Sequence, residues 1–338
     1  MVKKLKSIVG VLGLAGLVLA GCTGGQQAAK GDSPSSAQAA DGSFKVALIT
    51  PGSVSDAGWN AMAFAGLQAI ESELGAEITN AEATGAKIRD VMRTYAQEDY
   101  KLIFGHGFEY NAPGVELAKQ FPNTVFISSS GAETATNAGS FRFYLEQGFY
   151  LAGMMGAKMS RNKHLAMVGL NVPSIVSTFR GFEAGAKAAD PNVKVTTVLL
   201  TDTKDAVAVK QATLQVIEAG ADMIIHQANE AARSVFDACK EKGAMAFGSN
   251  ADQNGDTSGV VLASAVIVAK PAFVEVARQV KEGKYQGGVT FIGMDKGAID
   301  FIVNPAKAGQ IPDDVKAAVE QAKQDILAGK IVVPKDEF

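Results

Sequence analysis

The chain has 338 residues, with 32 Lys plus Arg against 35 Asp plus Glu and a formal charge of −3 at pH 7. A mildly acidic chain with no basic run is a poor partner for nucleic acid, and none is expected. His106, His164 and His226 lie about sixty residues apart without a second ligand at metal spacing, which argues against a zinc site.

The first segment, MVKKLKSIVGVLGLAGLVLAGC, carries Lys3, Lys4 and Lys6 ahead of an apolar run from Ile8 to Ala20. About a dozen apolar residues are too few to span a bilayer as a helix, so the run reads as a secretory signal rather than a transmembrane segment. Cys22 directly after Leu-Ala-Gly resembles the bacterial lipobox. That resemblance implies lipidation at Cys22, removal of residues 1–21 and attachment to a membrane by several acyl chains on one residue. The alternative is an ordinary signal peptide with a chance cysteine. Residues 22–43 are rich in Gly, Ser, Gln and Ala and read as a flexible lipidated linker. With Cys22 acylated, Cys239 has no disulfide partner, and its spacing from Val235 and Phe236 suits a small core residue.

The body from Phe44 onward is about 295 residues, too long for one typical domain and comfortable for two. In chain order the β-rich runs are 45–50, 101–106, 124–129, 164–170, 193–200, 222–228 and 245–250. They are near-continuous apolar runs, as in strands covered on both faces. Helices are expected at 60–74, 115–120, 149–159, 176–188, 205–219 and 232–242. The alternation predicts an α/β fold with doubly wound, mostly parallel sheets. Several strands end in polar or glycine residues: Thr50-Pro51-Gly52-Ser53, Gly105-His106-Gly107-Phe108, Ser128-Ser129-Ser130-Gly131, Gln227-Ala228-Asn229 and Gly248-Ser249-Asn250. Open α/β sheets place ligands at the carboxyl ends of their strands, so two half-sites facing across a cleft are expected.

KVALIT with SDAGWNAMAFAGLQAI, LIFGHGFEYNAPGVELAKQFPNTVF, EQGFYLAGMMGAKMS, VPSIVSTFRGFEAGAKAADPNVKV and FGSNADQN with VVLASAV after it resemble the basic membrane protein family of bacterial lipoproteins. That family includes purine nucleoside receptors of ABC importers. The resemblance runs from Phe44 to about Ile302. It implies the two-lobed type I periplasmic-binding-protein fold, with an N-terminal lobe of 44–148 plus about 265–290 and a C-terminal lobe of 149–264 plus about 291–338. It also implies a solute-binding protein without catalytic activity, placed in the cell envelope facing the periplasm or exterior, with an ABC permease as partner and a purine base or nucleoside as solute. Three departures stand out. Asn250 replaces the usual aspartate, Ile267 falls near a usual lysine, and Asn229-Glu230-Ala231-Ala232 replaces a glycine-rich loop. All three touch the sugar-facing end of the family's pocket.

Within this frame Asp56, Trp59 and Asn60 form the first candidate cluster: a flat ring for stacking, with directional hydrogen-bonding groups beside it. The same Trp59 could be a core residue. His106, Phe108 and Ser128 end strands of the first lobe, and each also suits a polar turn or the core. Phe179 is either a second aromatic jaw or part of a core face with Ile175 and Phe182. Asn229 and Asn250 are binding residues or helix caps. Asp252 or Glu230 could carry a ribose. Asp252, Asn254 and Asp256 alternate as in a calcium loop, but Thr257 and Ala263 occupy the positions that need Gly and Glu. No P-loop, nucleophile elbow or HExxH motif occurs, and no cofactor is implied. A monomer is expected, since no coiled-coil segment is present. The other readings are a receptor for another small polar solute such as a sugar, or an envelope sensor or enzyme on the same fold.

Overall fold

The computed structural model describes residues 43–56 and 58–336. The expected signal peptide and Cys22 lie outside the described residues. The chain runs β1 (Lys45–Thr50), α1 (Trp59–Leu74), β2 (Glu77–Glu82), α2 (Lys87–Gln97), β3 (Leu102–Gly105), α3 (Asn111–Ala118), β4 (Val125–Ser128) and β5 (Ala138–Phe143). It continues through α4 (Glu146–Met159), β6 (His164–Leu170), α5 (Pro173–Ala189), β7 (Lys194–Leu200), α6 (Ala206–Glu218), β8 (Met223–Gln227), α7 (Ala232–Lys242), β9 (Met245–Asn250) and β10 (Val261–Ile267). Last come α8 (Lys270–Lys281), β11 (Val289–Ile292), β12 (Ile299–Val303) and α9 (Asp313–Leu327).

The strands form two six-stranded sheets, ordered β11-β5-β4-β3-β1-β2 and β12-β10-β9-β8-β6-β7. The two orders are the same, and every strand pair is parallel except β10 with β12. The expected α/β fold of doubly wound, mostly parallel sheets is borne out. In this 2-1-3-4-5 winding the strand order reverses beside the first strand, and a crevice opens at the carboxyl ends there. The switch points are β1/β3 in one sheet and β6/β8 in the other.

Apolar runs become buried strands because helices cover both faces. Leu48, Phe104 and Phe141 are fully buried in the first sheet, and Leu165 and Phe247 in the second. Helices α4 and α5 touch through their backbones. A Cβ on Gly153 would lie 2.0 Å from the Phe182 carbonyl oxygen, and one on Gly185 would lie 1.9 Å from that of Tyr150. Only glycine permits that approach. The chain passes between the sheets after β5, after β10 and between β11 and β12. Helix α8 packs on α1, while α9 packs on α4.

Candidate functional site

A cavity of about 440 Å³ lies at the carboxyl ends of both sheets. Pro51, Trp59, Asn60, Phe108, Ser129 and Ser130 line it from the first sheet's loops. Leu170, Ile175, Lys204, Gln227, Asn229, Glu230 and Asn250 line it from the second. The volume and the mixed apolar and polar wall suit a small organic molecule.

The first-sheet wall is built on the start of α1. Asp56 Oδ1 accepts from the Gly58 and Ala61 N–H groups at 3.0 and 2.9 Å, and Oδ2 accepts from Asn60 N–H at 2.9 Å. A carboxylate at a helix start satisfies bare donors and favours the helix dipole. Its work here is to set Trp59 and Asn60 in place. The Trp59 indole stacks on the His106 imidazole, with ring centroids 3.9 Å apart and planes 22° from parallel. The two residues also exchange hydrogen bonds. Trp59 Nε1–H donates to the His106 carbonyl at 3.3 Å, and His106 Nε2–H donates to the Trp59 carbonyl at 2.9 Å. Burial holds the imidazole pKa down at about 3, so the ring behind Trp59 is neutral.

Beside this platform stand polar atoms without protein partners. Asn60 Oδ1, Ser129 Oγ and Ser130 Oγ are buried and unbonded, and all three residues line the cavity. A buried polar group left unpaired costs about 1–3 kcal/mol, so these atoms gain from a partner that reaches them beside the cleft.

In the second-sheet wall the strand-end amides bond one another. Asn229 and Asn250 have left-handed backbones, with φ of 43° and 67°. Asparagine tolerates this conformation better than most residues. Asn250 Nδ2 donates to Gln227 Oε1 at 3.1 Å and to Asn229 Oδ1 at 3.2 Å. The two walls meet at the cavity's edge. Lys204 Nζ donates to the Pro51 carbonyl at 3.4 Å, and a Cβ on Gly52 would lie 2.6 Å from Glu230 Oε1.

Where the chain leaves the first sheet, Arg142 and Glu146 also line the cavity and form a buried ion pair. Burial pushes the Glu146 carboxyl up and the Arg142 guanidinium down, while each pulls the other back towards its charged form.

With two sheets of one winding and a cleft at both switch points, a family model described as ABC transporter substrate-binding protein PnrA-like matches residues 43–337. The chain belongs to the Bmp family. It is similar to a purine-binding protein of Brucella abortus, at 27% identity over 86% of this chain and 83% of the relative. It is also similar to the ABC transporter nucleoside-binding protein BmpA of Lactococcus lactis, at 27% identity over 98% and 99%. A solute-binding protein of an ABC transporter system from Aeropyrum pernix shares the fold, with a TM-score of 0.76 at 21% identity, covering 87% of this chain and 94% of that one. The resemblance read from the motifs is thereby borne out. As a Bmp protein the chain is an extracytoplasmic substrate-binding protein of an ABC transporter. No helix among the described residues is long and apolar enough to cross a membrane.

Of the expected site residues, Trp59, Asn60, Phe108, Asn229 and Asn250 line the Bmp cleft. Asp56 and His106 stand one layer behind, as cap and backing. Ser128 is buried behind the wall, where its Oγ accepts from Asn111 Nδ2 at 3.0 Å. Phe179 is 2% exposed and packs with Phe149 in the core, while Ile175 and Thr178 on the same helix line the cleft. Asp252 is exposed off the cleft, and its Oδ1 accepts from Asn254 N–H in a turn. Asp256 pairs with Arg233 at 3.2 Å, and among the described residues no group of three or more His, Cys, Asp or Glu could hold a metal ion. Sequence reasoning missed Arg142 and Glu146. The available signal was a pair of opposite charges four residues apart across a strand-to-helix junction, in otherwise apolar surroundings.

Proposed function

We propose that this Bmp protein carries a free purine base in the cleft and presents it to its permease. The observation that carries the reading is the first-sheet wall: an indole backed by His106, beside the unbonded Asn60 Oδ1 and the Ser129 and Ser130 hydroxyls. A flat heterocycle offers a π-face for stacking and an edge of donors and acceptors for the amide and hydroxyls. Asp56 and His106 serve by positioning, and Phe108 adds apolar surface at the mouth. The two lobes of the sequence reading, 44–148 with about 265–290 and 149–264 with about 291–338, close on the solute because it gains contacts from both.

The far end of the cleft disfavours a sugar. Asn250 already spends its donor group on Gln227 and Asn229, and Ile267 lines the cavity with an apolar side chain. A ribose there would bury hydroxyls at about 1–3 kcal/mol for each one unpaired. A purine nucleoside is the second reading, favoured by the Glu230 and Asp202 carboxylates that line the cavity and could accept ribose hydroxyls. Titration calorimetry with adenine, guanine, hypoxanthine and their ribonucleosides separates the two. At least one free base should bind as tightly as its nucleoside. Nucleosides binding tenfold or more tightly than every base would overturn the first reading.

The solute is bound without chemical change, so mass spectrometry of small molecules released on denaturation should find it intact and stoichiometric. A covalently altered product would point to an enzyme. Attachment to the membrane runs through lipid on Cys22. Cys22→Ser should abolish incorporation of a labelled fatty acid, and equal labelling of the variant would refute the anchor.

A further inference from the structure

The carboxyl-terminal segment reaches back to the wall of the cleft. After α9 the chain passes Val333, whose carbonyl accepts from Tyr144 Oη in the first crossing between the sheets. Lys335 Nζ sits 3.7 Å from the centroid of the Phe291 ring on β11 and 5.0 Å from that of Tyr144. The Asp336 carbonyl accepts from Arg142 Nη1 at the end of β5, and Asp336 N–H donates to Ser177 Oγ on α5 at 2.9 Å. Asp336 Oδ1 pairs with Arg180, also on α5, at 2.8 Å. One short segment therefore holds β5 and β11 of the first sheet and α5 of the second lobe together.

Its deepest contact is Ser177, which is fully buried. The Ser177 hydroxyl donates to Glu146 Oε1 and accepts from Arg142 Nη2 at 3.0 Å and from Asp336 N–H. One donor and two acceptor sites are all a hydroxyl has, so Ser177 is saturated. Arg142 and Glu146 are a buried pair, and such a pair depends on the hydrogen bonds its remaining groups make. Glu146 Oε2 has no partner among the described residues, so the carboxylate is held through Oε1 alone, by Arg142 and Ser177. Both also line the cavity, whereas Ser177 and residues 333–336 do not.

We propose that residues 334–336 are a positioning strap, which with Ser177 holds Arg142 and Glu146 in the cleft wall and so sets solute affinity without touching solute. The proposal rests on the reading of this cleft as the solute site. Removing the strap takes an acceptor from Arg142 and a donor from Ser177. The pair then rearranges, and the wall that meets the solute loses its shape and charge pattern. The strap also bridges the passage between the lobes, so the resting angle of the cleft depends on it.

The test compares the full chain with a chain ending at Val333, and with full-length Arg180→Ala/Lys335→Ala, which removes the ion pair of Asp336 with Arg180 and the Lys335 contact with the Phe291 ring. Adenine titration and hydrogen exchange of the solute-free proteins are the two measurements. The shortened chain should bind adenine at least tenfold more weakly and exchange at 142–147 at least fivefold faster, with exchange in β6 and β8 unchanged. The double variant should show a two- to fivefold loss of affinity and a matching local rise in exchange. Binding within twofold of the full chain, or unchanged exchange at 142–147, overturns the strap. If the shortened chain does not fold, the double variant decides on the same criteria. If the full chain takes neither adenine nor any other purine, the reading of the solute fails instead, and exchange at 142–147 alone decides the strap.

Discussion

The two walls of the cleft come from the same winding but are finished differently. Strands β3 and β8 hold equivalent places in their sheets, and each delivers a buried histidine at or just past its carboxyl end. His226 has both ring nitrogens partnered: Nε2–H donates to Gln253 Oε1 at 3.0 Å, and Nδ1 accepts from Ala228 N–H at 3.3 Å. His106 spends Nε2–H on Trp59 and leaves Nδ1 bare. Strands β4 and β9 are likewise equivalent. After β4 come the unbonded hydroxyls of Ser129 and Ser130, while β9 ends in Asn250, bonded to its neighbours. One wall is thus left with several open valences and an aromatic plate, while the other has the Asn250 donor group spent on Gln227 and Asn229 and keeps one bare hydroxyl, Ser249 Oγ. The unsatisfied wall is the one that gains most from a ligand, because each new hydrogen bond there removes an existing penalty. A wall whose amides already bond one another gains less from each new contact and suits closure over a ligand already bound.

The largest expected effect tests the two histidines as buried neutral rings. Their folded pKa values are held down at about 3 for His106 and about 4 for His226, against an ordinary value of 6.5. Below pH 6.5 the unfolded chain takes up protons that the folded chain refuses. The stability present above pH 6.5 is therefore lost as pH falls towards 4, by about 1.4 kcal/mol per pH unit for each histidine. Thermal melts from pH 7 to 4.5 should show the decline, and His226→Gln should remove about half of this histidine-linked slope. An identical slope in the variant would mean that His226 titrates normally.

The aromatic plate comes next. Trp59→Ala should weaken purine binding by about 1–3 kcal/mol, the range for losing a base–aromatic stack. Calorimetry showing wild-type affinity would return Trp59 to a purely structural role and remove the contrast between the walls.

The hydroxyl and amide ends compare directly. Ser129→Ala and Ser130→Ala should each cost about 0.5–1.5 kcal/mol of solute binding. Asn250→Ala, made in the self-bonded wall, should cost less than either. The reverse ranking, read from the same titrations, would make the second wall the principal ligand contact.

The smallest effect concerns the point where the walls touch. A Cβ at Gly52 would lie 2.6 Å from Glu230 Oε1, the far end of a flexible side chain, and 3.2 Å from Asn60 Nδ2, so Gly52→Ala should weaken binding by only about 0.5 kcal/mol, and Glu230→Ala should relieve most of that loss through pairwise coupling. An equal loss with and without Glu230 would show that Gly52 is needed for its own loop and not for lobe contact.

Much of the frame was legible because burial on both faces leaves a local mark. KVALIT, HLAMVGL and MAFGSN are strands over the expected residues. Strand β2, EITNAE, escaped because it is an edge strand whose residues are all exposed or half-buried, so no apolar run announces it. Strand β5, AGSFRF, is buried throughout and still carries Arg142, which only a partner beyond the strand makes tolerable. The amphipathic helices α2 and α9 bury few residues: Ile88, Met92 and Ala96 in one, and Val315, Val319, Ala322 and Ile326 in the other.

From sequence alone came the α/β class, the family resemblance and the polar strand ends, because hydrophobic periodicity, turn residues and motif spacing act over a few neighbouring positions. The tertiary structure decided which of those ends meet. It set His106 behind Trp59, placed Phe179 in the core, spent the Asn250 donor group on its neighbours and drew Arg142, Glu146, Ser177 and Asp336 into one network. These outcomes depend on contacts between residues tens to nearly two hundred positions apart. Whether a polar atom is spent on the protein or left for a ligand is settled by its distant neighbours in space, and no local pattern records them.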